Sequence, residues 1–434
     1  MGQENYGRII IAFDDMVEFH ALKNGIDALL KEGIETDLFI PPCDIDRQPL
    51  LDETYNEIAK RGYSPIREID ESVKYKILLD PHARDYFFQP QMINHEFRIR
   101  YKYSLISGKP SPIYSVPQNF AYDAILCYTK REAEILSAHT KTYLISPMRY
   151  KGFKKDPRRP AGKPVLLYAP TFGKASSIDT IGKAIQVLRE DYYIIMKAHH
   201  LTQHADKENH RIDILKNNSD EYYDQTADLV ELLKRADVML SDNSGAIFEA
   251  IYAEVPVAVY HHESLNNRSY KRIDTFQHQL AQRGVLPYTF DAEEIGAVLK
   301  KAMENKREQK AEKADFLPAK DVTKAFVDVM KLFLSQDREN SEYYAMHDII
   351  RETYTQQLER IDSSEKENFA LKEENDALVE KHSALEEEYL TFKEEAESAK
   401  QQLEKEIIGL VNEKSYKLGR ALTSPYRALT KTRK

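Results

Sequence analysis

A chain of 434 residues, 42% hydrophobic and 31% charged, is long enough for two domains with real cores and carries something charge-rich besides. Its formal net charge of −9 offers no sign of nucleic-acid binding, and its two cysteines, Cys43 and Cys127, exclude a disulfide framework and show no metal spacing. No basic region followed by an apolar run marks a signal peptide, and no stretch approaches bilayer length, so a cytoplasmic protein is expected, with any membrane work done by surface attachment at the inner face.

Arg8 to Phe13 reads as a short β-branched strand, followed by a helical pattern with Phe19, Leu22, Ile26, Leu29 and Leu30 on one face, ending at Gly33. Asp37 to Ile40 is a second strand, stopped by Pro41 and Pro42. Val73–Leu79 and Ala124–Cys127 continue the series, and a helix over Lys130–Ala138 leads into a strand over Thr142–Ile145. Such alternation predicts an α/β lobe with a parallel sheet over residues 1–150. Residues 151–163 (KGFKKDPRRPAGK) hold Pro, Gly and six basic residues, a linker composition that places a lobe boundary.

A second α/β series follows and predicts a second Rossmann-like lobe over 164–335. Its strands are Val165–Tyr168, Tyr192–Met196, Val238–Leu240 and Val257–Tyr260; its helices include Ile181 to Leu188, Leu229–Arg235 and Ala246–Ala253. Two such lobes in tandem predict ligand binding in a cleft facing the carboxyl ends of the strands. Residues 336–360 read as connecting helices. Over 361–412, Leu371, Leu378, Leu385, Phe392 and Ala399 recur at spacing seven, a coiled-coil seam expected to self-associate, with polar Asn368, Asn375 and His382 among its companion core positions. The competing reading is a single solvated helix. The tail, 413–434, carries seven Lys or Arg interleaved with Tyr416, Leu418, Leu422, Tyr426 and Leu429; it either lies on an anionic membrane surface or is a disordered basic tail.

Four segments carry the chemistry. In Ser241–Ala250 (SDNSGAIFEA) a strand ends in a small-residue turn opening directly into a helix, where backbone N–H groups and the helix dipole attract phosphate. Ser244 supplies a hydroxyl, Gly245 lets a ligand approach, and Glu249, one turn in, suits ribose hydroxyls; the plainer reading makes Ser244 a cap and Gly245 a turn residue. Tyr192–His200 (YYIIMKAHH) delivers Lys197, His199 and His200 to a strand's carboxyl end, where histidine exchanges protons near neutral pH and lysine balances phosphate charge. Tyr75–Arg84 (YKILLDPHAR) puts His82 at the equivalent end of a first-lobe strand, facing His199 across the cleft or else sitting in a surface loop. Leu166–Gly173 (LLYAPTFG) offers the Thr171 hydroxyl after a rigid turn. The pair Asp44 and Asp46 follows two prolines without supporting ligands, so no metal and no other cofactor is expected.

In this order LLYAPTFG, IIMKAHH and DLVELLKRADVMLSDNSGAIFEAIYAEVPVAVY resemble the CDP-glycerol glycerophosphotransferase family, which builds teichoic-acid-like polymers. The resemblance covers roughly residues 70–265 and implies the two-lobed GT-B fold, metal-independent transfer, one catalytic histidine from each lobe, His82 and His199, and a donor diphosphate surrounded by Thr171, Asp242, Ser244 and Gly245. Where the family has Trp-His-Gly, this chain has Pro81-His82-Ala83; where it has Asp-Tyr-Ser-Ser, the turn is Asp242-Asn243-Ser244-Gly245. A Ser-Gly turn with a helical glutamate is also similar to the UDP-N-acetylglucosamine 2-epimerase group on the same scaffold.

Three functions follow as expectations. The first is transfer of a polyol phosphate from CDP-glycerol or a related donor to a polymer or lipid-linked acceptor; the second is a sugar transferase or epimerase using a UDP-sugar; the third is a non-catalytic coiled-coil scaffold of an envelope-polymer complex.

Overall fold

The run after Arg8 forms strand β1 (Ile9–Ala12), wholly buried, because β-branched side chains pack well on a pleated surface covered on both faces. This is a computed structural model, and it describes residues 7–41, 48–81, 93–105, 119–156, 158, 160–173, 176–199, 201–202, 208–224, 226–242, 244–261, 276–316 and 321–431. After β1 come α1 (Met16–Lys31), β2 (Thr36–Phe39), α2 (Gln48–Lys60), β3 (Pro65–Ile66), β4 (Tyr75–Asp80), β5 (His95–Arg100), β6 (Ala124–Cys127), α3 (Lys130–Leu136) and β7 (Lys141–Leu144). Asp15 caps α1, its carboxylate accepting from the N–H groups of Val17 and Glu18. The strands form one parallel sheet in the order β3-β2-β1-β4-β5-β6-β7.

The second sheet, β10-β9-β8-β11-β12-β13, is built from β8 (Val165–Ala169), β9 (Tyr193–Lys197), β10 (Glu221–Tyr223), β11 (Val238–Ser241), β12 (Val257–Tyr260) and β13 (Tyr288–Thr289). All its pairings are parallel. Between these strands run α4 (Ile178–Ile181), α5 (Asn209–Asn217), α6 (Leu229–Arg235), α7 (Ala246–Tyr252) and α8 (Phe276–Gln282); α9 (Ile295–Glu304) and α10 (Lys306–Ala311) follow. In both sheets the strand order reverses direction beside the first strand of the lobe, between β1 and β4 and between β8 and β11. Loops leaving the carboxyl ends at such a reversal diverge and open a crevice. The expected α/β class with two Rossmann-like lobes of GT-B type is therefore the observed one.

Four strands were not expected: β3 and β13, of two residues each, and β5 and β10. In β5 the sequence HEFRIR alternates charge with apolar residues, which reads as a surface segment; its arginines instead find partners within the lobe, Arg98 Nε pairing with the Asp80 carboxylate at 2.7 Å and Arg100 donating to the Asn119 amide oxygen at 2.8 Å. β10, EYY, is too short to show a period.

The lobe boundaries also shift. Helix α11 (Lys324–Ser335), counted above with the second lobe, packs on the first: Phe333 meets Phe97 with ring centroids 5.1 Å apart and Tyr143 at 5.6 Å, while Lys331 pairs with Glu32 at 2.8 Å. The physical reason is that α11 has an apolar face and β5 to β7 have an exposed one to cover. Next, α12 (Glu342–Lys431) begins inside the region expected to hold several connecting helices. Its start is tied down by Asp123, which accepts from Arg338, just before the helix, at 2.9 Å and from Arg351, within it, at 2.8 Å. Met1–Thr355 form one compact unit and Gln356–Lys434 another. In the second, Leu371, Leu378, Leu385, Phe392 and Leu403 are exposed in the isolated chain. Side chains of the tail beyond residue 420 lie outside the described residues.

Candidate active site in the interlobe cleft

The link between the lobes sets the geometry. Gly25 of α1 leaves room that no side chain could share: a Cβ there would lie 2.7 Å from Met148 Sδ and 2.8 Å from the Phe326 ring. Asn24 Nδ2 also donates to the Met148 carbonyl at 2.8 Å. The one-turn helix Met148–Tyr150 is thereby held on α1, and Arg149 is delivered to the cleft.

Arg149 is buried and joins two acids of the second lobe, donating to Asp228 at 2.6 Å and to Glu249 Oε1 at 3.2 Å. Burial works to lower its pKa, but Glu249 and then Asp228 outweigh it and hold the guanidinium charged. Burial likewise works to raise the Asp228 pKa; Arg149, followed by His20, keeps it at about 2. Asp228 also caps α6. Across the lobes, His20 Nδ1 lies 3.8 Å from Asp228 Oδ2. Burial, with Arg149 and Arg61 contributing, pulls the His20 pKa down to about 4 against the pull of Asp228. His20 rides on the first turns of α1, at the carboxyl end of β1.

Lys197 closes β9 and is buried at the same place. Burial, then Arg149, lowers its pKa to about 8, while Asp228, Asp224 and Asp15 pull it up. A lysine in this state is largely protonated near neutral pH, and an arriving anion would hold that charge in place.

At the reversal between β8 and β11, Asp242 is fully buried and joins the two diverging loops. It accepts from the Thr171 N–H at 2.7 Å, from the Ser177 N–H at 3.0 Å and from the Ser177 hydroxyl at 2.8 Å. Asp242 therefore shapes the loop that carries Thr171. The Thr171 hydroxyl itself is buried with no hydrogen-bond partner, a condition that normally costs free energy. Ser244 accepts from the Ala246 N–H at 3.3 Å, a local turn bond just before the helix, whose N-cap is Gly245. Gly245 meets the first lobe: a Cβ there would stand 3.4 Å from Ser104 Oγ, so the loop after β5 roofs this turn.

Glu249 is buried rather than open. Tyr150 donates its hydroxyl to the carboxylate and Arg149 bonds the other oxygen, so binding ribose would require exchange of one of these partners. His199 stacks on Phe172 with centroids 4.7 Å apart, and its Nδ1 accepts from the Leu201 N–H at 3.2 Å. That bond leaves the proton of the neutral ring on Nε2. His82, His200, Asn243 and the pair Asp44 and Asp46 lie outside the described residues.

The structure thus gathers Thr171 with Asp242, and Lys197 and Glu249 about Arg149. The sequence reading passed over Arg149, His20 and Asp228. Arg149 abuts the basic linker and reads as part of it; His20 lies in an ordinary amphipathic helix, and only its place after β1 marks the cleft end. Among the described residues no three His, Cys, Asp or Glu side chains form a metal-binding group. No described helix is long and apolar enough to cross a membrane.

Residues 149–321 match the CDP-Glycerol:Poly(glycerophosphate) glycerophosphotransferase family, a span running from the Arg149 link through the whole second sheet. No curated protein matches the chain. Among solved structures, the MnaA–UDP co-structure from S. aureus is 14% identical, with 76% of this chain and 97% of that one covered at a TM-score of 0.52. A protein assigned as UDP-N-acetylglucosamine 2-epimerase from Listeria monocytogenes is 13% identical, covering 76% and 98% at 0.49. The wall teichoic acid polymerase TagF is 14% identical, covering 75% and 88% at 0.47. At these identities the likeness is one of fold. The resemblance read from the sequence holds over the matched segment, and with it the enzyme class, a transferase.

Proposed function

We propose that the chain transfers a polyol phosphate, glycerol phosphate first among them, from a CDP-linked donor to the hydroxyl of a cell-envelope polymer or lipid-linked acceptor. The observation that carries this reading is the family match over residues 149–321, which contains Thr171, Lys197, Asp242 and Arg149. The donor's diphosphate would lie between the β8 and β11 loops, with Thr171 donating its unpartnered hydroxyl and Lys197 supplying charge. His199, protonated on Nε2, would donate a hydrogen bond to a phosphate oxygen. In the reaction the acceptor oxygen attacks the β-phosphorus, the bond from that phosphorus to the bridging oxygen breaks, and CMP leaves with the electron pair. Catalysis is then positioning plus electrostatic stabilisation of the phosphates.

The coiled-coil seam and basic tail fit self-association and attachment to an anionic surface, which would raise the local concentration of a lipid-linked acceptor. A UDP-sugar donor is the second reading, favoured by the helical Glu249 and by the fold shared with the MnaA–UDP co-structure. Incubation of the full chain with CDP-glycerol, CDP-ribitol and UDP-N-acetylglucosamine separates the two. CMP release supports the first reading; UDP release, or epimerisation, with none from the CDP donors overturns it.

A further inference from the structure

The second unit, Gln356–Lys434, is built on α12 alone among the described residues. The helix runs unbroken through residues 367–403, yet Leu371, Leu378, Leu385, Tyr389, Phe392 and Leu403 stand 55% to 69% exposed along one face. With the first three of these and Phe392 at heptad position d, Asn375, His382, Tyr389 and Leu403 fall at a. The flanking positions are patterned too. Position g holds Glu367, Glu374, Lys381, Glu388 and Glu395; position e holds Lys372, Val379, Glu386, Lys393 and Lys400. Each g residue is opposite in sign to the e residue five places on, except Glu374 with Val379. Where g changes to Lys381, e changes with it to Glu386. Residues five apart lie about 140° apart around one helix, so this match does nothing for a lone solvated helix. Across a parallel pair of helices, g of one does meet the e residue five places on in the other.

We infer that α12 pairs with α12 of a second copy of this chain, parallel and in register over residues 367–403, the seam closing the apolar face and the g and e charges selecting partner, direction and register. In register, the pair joins Glu367 to Lys372, Lys381 to Glu386, Glu388 to Lys393 and Glu395 to Lys400, each twice by symmetry, with no like charges opposed. A slip of one heptad sets Glu374 against Glu386, Lys381 against Lys393 and Glu388 against Glu386. Antiparallel pairing joins g to g, and along the fullest overlap sets Glu367 against Glu395 and Glu374 against Glu388. Asn375, at a, meets its own copy only in register, where a polar residue at such a position fixes the alignment. Parallel pairing also brings both basic tails to one end of the pair. α12 alone carries this association, so it holds whichever donor the lobes take.

The test uses the full chain. Light scattering and sedimentation at tens of micromolar should give twice the monomer mass; a monomer, or a trimer or larger species, overturns the pairing. Disulfide crosslinking reads direction and register, with Leu371→Cys and Ala399→Cys in separate chains that carry Cys43→Ser and keep the buried Cys127. Each variant alone should crosslink to its own copy, and an equimolar mixture should form no disulfide between positions 371 and 399. That mixed disulfide, or failure of either variant to crosslink with itself, overturns the parallel register. Lys381→Glu or Glu386→Lys alone opposes like charges twice in the dimer and should weaken it roughly tenfold at low salt. An equimolar mixture of the two should associate like wild type, because their heterodimer regains both opposite-sign contacts. A mixture as weak as its components, or no weakening in either variant, overturns the charge assignment.

Discussion

The Asp242 carboxylate accepts the Thr171 N–H at 2.7 Å, tying the end of β11 to the loop after β8 across the point where the second sheet reverses its strand order. Its other oxygen takes two bonds from Ser177, so one buried acid fixes both edges of the crevice. Asp242→Ala leaves three donors without their acceptor. A loss of about 3 kcal/mol is expected, from roughly 1–3 kcal/mol for each unsatisfied buried group with some relaxation, read from urea denaturation. Asp242→Asn should recover part of it.

Thr171→Val separates binding from stability. The hydroxyl is buried and unpartnered, so its replacement by a methyl group should leave the melting temperature unchanged or slightly raised. If the hydroxyl donates to a donor phosphate, KM rises by roughly tenfold, the worth of about 1.4 kcal/mol. Calorimetric titration with CDP checks the second part and thermal melting the first.

Arg149→Met removes the shared partner of Asp228 and Glu249. Breaking a buried pair in this way typically costs about 3–5 kcal/mol, because the remaining charge is left uncompensated. The double variant Arg149→Met, Glu249→Gln should be more stable than Arg149→Met alone. A double-mutant cycle in denaturant measures the coupling, and additivity of the two changes would contradict the contact.

Acid should destabilise the globular unit before its carboxylates are protonated. His20 and His261 both have pKa values drawn down to about 4 by burial, below the ordinary 6.5 of the unfolded chain. The unfolded state therefore binds protons first as pH falls. Stability present above about pH 6.5 is lost progressively toward pH 4. Melting temperatures across this range should fall, and His261→Phe, which removes one titrating ring, should flatten the fall.

Several parts of this arrangement were legible in the residues. Runs such as Arg8–Phe13 and Val165–Tyr168 announce buried parallel strands because period and β-branching act locally. The segment from Ser241 to Ala250 marked a strand–turn–helix for the same reason, and β11 and α7 occupy it. The pattern of β5 does not show in the residues because its arginines are satisfied by Asp80 and Asn119, partners distant in the chain.

The sequence by itself determined the two α/β lobes and the strand ends that carry Thr171, Lys197, Asp242 and Gly245. Each follows from local propensity and patterning, which neighbouring residues carry within a few positions. Only the tertiary structure decided which charges meet. Arg149 between Asp228 and Glu249, His20 opposite Asp228, and α11 returning to the first lobe all join residues far apart in the chain. Burial then alters what those groups do: a lysine is brought to about 8 and a histidine to about 4 by desolvation and by neighbours that no local pattern names.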